Sequence, residues 1–318
     1  MTSLKGNRFE LNQYDPCVAN KMVEDKVLTI CFHMDDCKIS HESIPVVDNT
    51  ISWLKEDYKV LFEDGSGAMK VCRGKTHDYI GMTLDYSHDS EVHISMIKYI
   101  EDVWSTFQEV QVEFDNGFVE VRRRSKSQVT AAPTNLFVVN KECKPLNVEQ
   151  QEMFHSCVGK ALYFAKRARL DILPSISFLT KRVKKTDKDD WEKLAHMIKY
   201  LKLTEKLPLI LSAEDSENLY WYADIAFGVH VDMKSHNGAG LTLGREFAIS
   251  ISSGQKLNFS SSAYAELVAV SDILPMVQWI RLFILAQEVK INRNIIYQDN
   301  QSAVLLEENG KKSSGKRT

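Results

Sequence analysis

Five acidic residues in this 318-residue chain stand where carboxylates can do chemistry. Asp35 and Asp36 follow the short apolar and β-branched run VLTICF at 27–32, and CKIS returns behind them. Asp224 follows the aromatic stretch WYA, Glu266 lies in the first turns of a long apolar segment, and Asp299 ends IIYQ. Acids at strand ends and in the early turns of a neighbouring helix can converge, and converging carboxylates bind hard divalent cations, Mg²⁺ or Mn²⁺, through oxygen. Two such ions activate a water and stabilise the leaving oxygen in phosphodiester hydrolysis. Taken singly, each acid reads first as an ordinary cap, turn or surface charge.

Three blocks must position these groups. In the first, 1–120, VLTICF and CKIS read as a β-hairpin with Asp35 and Asp36 at its tip. IPVVDNTISWLKEDY follows as an amphipathic helix that Asp48 or Asn49 could cap. Gly65 and Gly67 mark a turn, HDYIGMTLDY reads as one strand, and HISMIKYIEDVWSTF as a helix. The second block, 121–212, opens on a basic linker holding Arg122, Arg123, Arg124 and Lys126. Helices are expected over VEQQEMFHSCVGKALYFAKRA, from near Pro174 over ILPSISFLTKRV, and over DWEKLAHMIKYLKLT. Trp191, Leu194, Ala195, Ile198 and Leu201 share one face of the last. The third block, 213–318, reads as three strands (LYWYADIAFGV, GAGLTLG, FAISISSG), a long helix with Ser260 to Ser262 as caps, a strand NIIYQD and a helix from NQSAVLLEEN. That order is an α/β pattern. Pro275 falls inside the long helix and should kink or break it.

Composition is that of a globular chain, 44% hydrophobic and 26% charged. No apolar run reads as long enough to cross a bilayer, and MTSLKGNRFELNQ has no signal-peptide core, so an intracellular place is expected. Six cysteines form no Cys-x-x-Cys pair and have no histidine at zinc-finger spacing, so they read as free buried thiols. A net charge of −3 counts mildly against nucleic-acid binding. The basic groups at 122–126, and Lys181, Arg182, Lys184 and Lys185, could still touch phosphates; each reads equally as a solvated face.

The phrases WYADIAFG, SSAYAELVAV and IIYQDNQSAV, in this order, resemble the ribonuclease H domain of copia-type retrotransposons. The resemblance implies that Asp224, Glu266 and Asp299 are metal ligands for Mg²⁺ or Mn²⁺. In that family a stretch beginning Arg-Thr-Lys-His and bearing a fourth acid comes next, whereas here Lys316-Arg317-Thr318 stand last, so a three-carboxylate site is expected. VLTICFHMDDCKISH resembles the reverse transcriptase polymerase hairpin, Tyr-Val-Asp-Asp in that family, with His33 and Met34 in place of its first two residues. The resemblance makes Asp35 and Asp36 catalytic metal ligands, with His33 and Met34 near the primer. The family needs a further aspartate upstream of QYDPCVAN, so the chain reads as a fragment that cannot polymerise alone.

HDYIGMTLDY resembles the segment near the primer grip, where Gly81 could let nucleic acid approach, though a strand bulge explains it equally. FHSCVGKALYFAKRARLDILPSISFLTKRV resembles the family's connection; its residues read as packing, with Lys166, Arg167 and Arg169 as candidates for backbone contacts. The implied fold is α/β and α+β: a partial reverse-transcriptase palm and thumb (1–120), a helical connection (121–212), and an RNase H-like α/β domain with a central mixed sheet (213–318). The implied parent copies RNA into DNA and degrades the RNA strand by two-metal phosphoryl transfer. Its partners are RNA–DNA hybrid, template-primer and dNTP, and its place is cytoplasmic virus-like particles and the nucleus. A second reading takes the chain as a decayed, non-catalytic remnant that at most binds nucleic acid.

Overall fold

The computed structural model describes residues 4, 6–59, 69–114, 130–215 and 217–310. The basic residues at 122–126 and the expected turn at Gly65 and Gly67 lie outside them. Among these residues the chain is mixed α and β, built on three four-stranded sheets, each with a helix-covered core.

The first sheet is a meander of β1 (Glu10–Leu11), β2 (Val18–Val23), β3 (Lys26–His33) and β4 (Asp36–Ser40). Glu24 and Asp25 both take positive φ between β2 and β3, the backbone a two-residue hairpin needs to match strand twist. Met34 and Asp35 form the next turn, closed by the pair His33 and Asp36. The expected hairpin is present, with Asp35 in the turn and Asp36 opening β4. Helix α1 (Ile44–Asp57) starts earlier than the sequence suggests: Ser43 is the N-cap and Pro45 occupies the first turn. Asp48 and Asn49 therefore lie inside the helix and cap nothing. Leu4, Phe9, Ala19, Leu28, Ile30 and Val46 form this core.

The second sheet orders β5 (Thr76–Tyr79), β6 (Met82–Asp85), β7 (Glu91–Ser95) and, from far along the chain, β8 (Leu209–Ser212). HDYIGMTLDY is thus two strands, because Ile80 and Gly81 both take positive φ and turn the chain between Tyr79 and Met82. Residues 93–95, expected in a helix, belong to β7, and helix α2 (Ile97–Phe114) begins after them. Alternation is too short there for helical periodicity to be told from a strand. Helices α3 (Val148–Ala165), α4 (Leu173–Arg182) and α5 (Lys188–Leu203) follow, with a short 3₁₀ turn at Leu170–Ile172 between the first two. Asn147 and Gln150 form a capping box on α3, and Asp187 and Asp190 form another on α5. On α5, Leu194, Ile198 and Leu201 are buried as the face pattern requires, while Trp191 is half-buried and stacks on Phe107 at 5.2 Å. One core joins residues 84 to 209, on both sides of position 120.

The third sheet is mixed. β9 (Asn218–Ala226) lies between β10 (His236–Thr242), antiparallel, and β12 (Arg293–Tyr297), parallel, and β11 (Phe247–Gly254) forms the far edge. Helix α6 (Ser262–Leu285) packs Ala269, Val270, Ile273, Val277 and Ile280 against Leu219, Trp221 and Ala223 of β9. Pro275 neither ends nor divides it. This helix corrects the expectation about membrane spans: its 24 residues are long and apolar enough to cross one by length and composition. Seven of its residues are buried, Glu266 among them, and Asp272 accepts from Asn237 at 3.1 Å. Helix α7 (Gln301–Asn309) closes the described chain.

Polar contacts tie the three units. Arg245 pairs with Glu91 at 2.6 Å, Ile210 N–H donates to Glu246 at 2.8 Å, and Trp279 Nε1 donates to the Tyr14 carbonyl at 2.9 Å. All six cysteines are free, but only Cys157 is buried, and Cys37 and Cys72 are exposed, against the expectation of buried thiols.

Candidate functional site

Side chains alternate along β9, so Leu219, Trp221 and Ala223 enter the core while Tyr222 and Asp224 are exposed. Strand β12 runs parallel to β9 with Tyr297 opposite Tyr222. Two residues further on, that register carries Asp299 alongside Asp224. The residue after Asp299 holds it in place: Asn300 caps α7, its side chain accepting from Ser302 and Ala303 N–H at 3.0 and 3.2 Å. Glu266 is the fifth residue of α6, whose N-cap is Ser261. It is 5% exposed, and Gln298 Nε2 donates to its Oε2 at 2.9 Å.

These three elements bring one oxygen from each of Asp224, Glu266 and Asp299 within 4.8 Å of one another. No lysine or arginine pairs with any of the three among the described residues. Burial pushes the Glu266 carboxyl above its ordinary range, the Gln298 hydrogen bond opposes this, and the charges of Asp224 and Asp299 add to the rise. A hard cation with oxygen ligands near 2.1 Å spans opposite ligands about 4.2 Å apart, so the set fits a divalent ion after small side-chain adjustment. Such an ion would supply the missing counter-charge. Sequence reasoning missed Gln298, although its place beside Asp299 at the end of β12 marks it as a neighbour of the same cluster.

The hairpin acids are differently placed. Asp35 and Asp36 are both exposed, as are His33 and Met34, the latter 93% exposed. No third acid or histidine joins them in a metal-sized group among the described residues. Asp36 Oδ2 accepts from Ile80 N–H at 3.1 Å, and the Ile80 carbonyl accepts from Tyr163 O–H at 2.9 Å. The Arg167 guanidinium lies 3.8 Å from the Tyr163 ring centre. The structure therefore links the hairpin tip, the turn at Gly81 and Arg167 through one chain of contacts. Gly81 makes a turn rather than a bulge, with φ of 73°; the residue is exposed, and an added Cβ would meet the Tyr99 ring. Lys166, at the C-cap of α3, is exposed.

Two candidate phosphate contacts are engaged within the fold instead. Arg169 is 2% exposed, bidentate to Asp171 at 2.7 and 3.0 Å and donating to Thr204, so it serves packing. Arg182 is spent on Asp187 and Asp190, the capping box of α5. In both cases a nearby acid in the sequence satisfies the guanidinium fork.

No protein-family profile matches the chain, and no solved structure does. Among curated proteins, a retrovirus-related Pol polyprotein from transposon TNT 1-94 of Nicotiana tabacum is 24% identical over 315 residues. The match covers 96% of this chain and 22% of that polyprotein, so the chain spans about a fifth of its relative's length. Over nearly its whole length the chain is thus related to a retrotransposon Pol polyprotein.

Proposed function

We propose that the third unit is an RNase H-like nuclease that cuts the RNA strand of an RNA–DNA hybrid with Mg²⁺ or Mn²⁺. The observation that carries this is the convergence of Asp224, Glu266 and Asp299 from two adjacent parallel strands and a covering helix, without a cationic partner among the described residues. A bound divalent ion would polarise the phosphate and activate water. The chain's own part is to hold it. Asp224, within β9, and Asp299, just beyond β12, are exposed, and Gln298 orients the buried Glu266. The relation to a Pol polyprotein supports the same reading.

For the first unit we propose a positioning role only. Asp35 and Asp36 form a pair with no third carboxylate beside them among the described residues, and Asp36 is engaged with the Ile80 turn. Template-primer and dNTP handling would then belong to a longer parent protein. The nuclease reading is tested by incubating the chain with a labelled hybrid in Mn²⁺ and then in Mg²⁺. Cleavage is expected, and Asp224→Asn should lower it at least 100-fold, about 2.7 kcal/mol of transition-state stabilisation. Cleavage that survives Asp224→Asn sinks the site assignment. Hybrid binding without turnover in the unsubstituted chain favours the non-catalytic reading.

A further inference from the structure

Gln298 makes two bonds beside the carboxylate site, and together they fix which way its amide points. Its Oε1 accepts from Asn300 N–H at 3.1 Å, so its Nε2 faces the other way, where it donates to Glu266 Oε2 at 2.9 Å. Both ends of this bridge are themselves held. The Asn300 side chain caps α7 through Ser302 and Ala303 N–H, and Glu266 is buried in the second turn of α6. Turning the amide over would forfeit a backbone bond and a bond to a buried carboxylate at once. The consequence falls on Glu266. Chelation of an ion by both its oxygens needs the carboxylate plane to swing until both face the ion, and the Gln298 bond holds that plane. The metal-sized group accordingly takes one oxygen from each of Asp224, Glu266 and Asp299.

We propose that Gln298 is a positioning residue that restricts Glu266 to one-oxygen coordination and so sets the preference of the site for Mg²⁺ over Ca²⁺. Mg²⁺ demands a near-octahedral shell with oxygens at about 2.1 Å and keeps several waters, so three carboxylates giving one oxygen each suit it. Ca²⁺ takes about six to eight oxygens at roughly 2.3 to 2.6 Å and commonly draws two of them from one carboxylate. Asp224 and Asp299 are exposed and can turn to serve either ion. Glu266 is the buried member, and it alone of the three is held by another side chain among the described residues. Freed of the amide, its plane can rotate to offer both oxygens, which widens the shell toward Ca²⁺. The inference rests on the nuclease reading for the presence of a metal, but its test reads ion binding and not cleavage.

The full chain is titrated with Mn²⁺, bound ion being read from the loss of the free-ion electron paramagnetic resonance signal, and the bound Mn²⁺ is then displaced with Mg²⁺ or with Ca²⁺. The ratio of the two competition constants is the selectivity. Removing an outer partner of a metal ligand typically changes affinity about 10- to 100-fold. Gln298→Met keeps the length and removes the donor, and should narrow the preference for Mg²⁺ over Ca²⁺ about tenfold. Gln298→Glu keeps the shape, has no N–H to give when ionised, and should narrow it at least as far. Urea titrations in EDTA show that each variant folds, and either one suffices for the test. An unchanged ratio overturns the proposal, and so does an equal loss of both ions, which is what a glutamine of structural importance alone would give. Asp224→Asn separates this outcome from the nuclease reading. If Mn²⁺ binds the unsubstituted chain and Asp224→Asn alike, or binds neither, the carboxylate site falls and the role of Gln298 with it. If Asp224→Asn abolishes binding while Gln298→Met leaves the ratio intact, only the role of Gln298 falls.

Discussion

Acid should loosen the third unit chiefly through one buried imidazole. His236 is 6% exposed, between His230, whose Nε2 lies 3.0 Å from its Nδ1, and Ser252, whose hydroxyl lies 2.7 Å from its Nε2. The Phe137 ring covers both histidines at 4.9 Å. Burial, then the nearby His230 and Lys181, pushes the His236 pKa from 6.5 to about 4. The folded state therefore binds fewer protons than the unfolded chain between those two values. Stability from this group is present above the unfolded pKa and is lost as pH falls toward the folded one. At pH 5 most of that loss has occurred, about 2 kcal/mol, at 1.36 kcal/mol for each pKa unit traversed. His230, shifted the same way, adds to it. Asp85, Glu91, Asp215 and Asp232, whose pKa values are all lowered, give up stability only at lower pH. Urea titrations at pH 7, 6 and 5 read the effect, and His236→Gln, neutral throughout, should flatten it. The reasoning is refuted if His236→Gln follows the same pH slope. An imidazole resonance of His236 that titrates near 6.5 in the unsubstituted protein refutes it as well, whatever the variant does.

Two further substitutions separate structure from function. Arg169→Met should lower the unfolding free energy by about 1 to 2 kcal/mol, because the buried guanidinium's hydrogen bonds to the Thr204 carbonyl and hydroxyl are lost, while exposed Asp171 keeps its bond from Tyr200; hybrid binding by the folded fraction should not change, and a binding loss at unchanged stability would return Arg169 to the nucleic-acid surface. Gly81→Ala should cost about 1 to 3 kcal/mol in a urea titration, through the positive φ and the Tyr99 ring that must move aside, and a neutral result would show that the turn relaxes freely.

What the residues alone disclose depends on how local the cause is. The acids of the candidate site were legible because each stands beside a marked local feature: Asp224 behind the aromatic residues of β9, Glu266 behind the serine cap of α6, Asp299 before the capping Asn300. Hairpin β3–β4 was legible for the same reason. The strand at 76–85 was misjudged because its turn is made by Ile80 and Gly81, and a β-branched residue at positive φ gives no warning. β8 pairs with β7 across more than a hundred residues, and no local pattern announces that partner.

The phosphate contacts show the same limit from the other side. A run such as Lys181, Arg182, Lys184 and Lys185 looks uniform in sequence, yet the fold divides it. Arg182 turns to the acids of the next helix, and Lys181 turns to the third unit. Whether a basic side chain is free for a ligand is decided by which acids reach it, and those acids come from other elements. Net charge therefore says little here: a chain at −3 can still present the ammonium groups of Lys181 and Lys256, unpaired among the described residues.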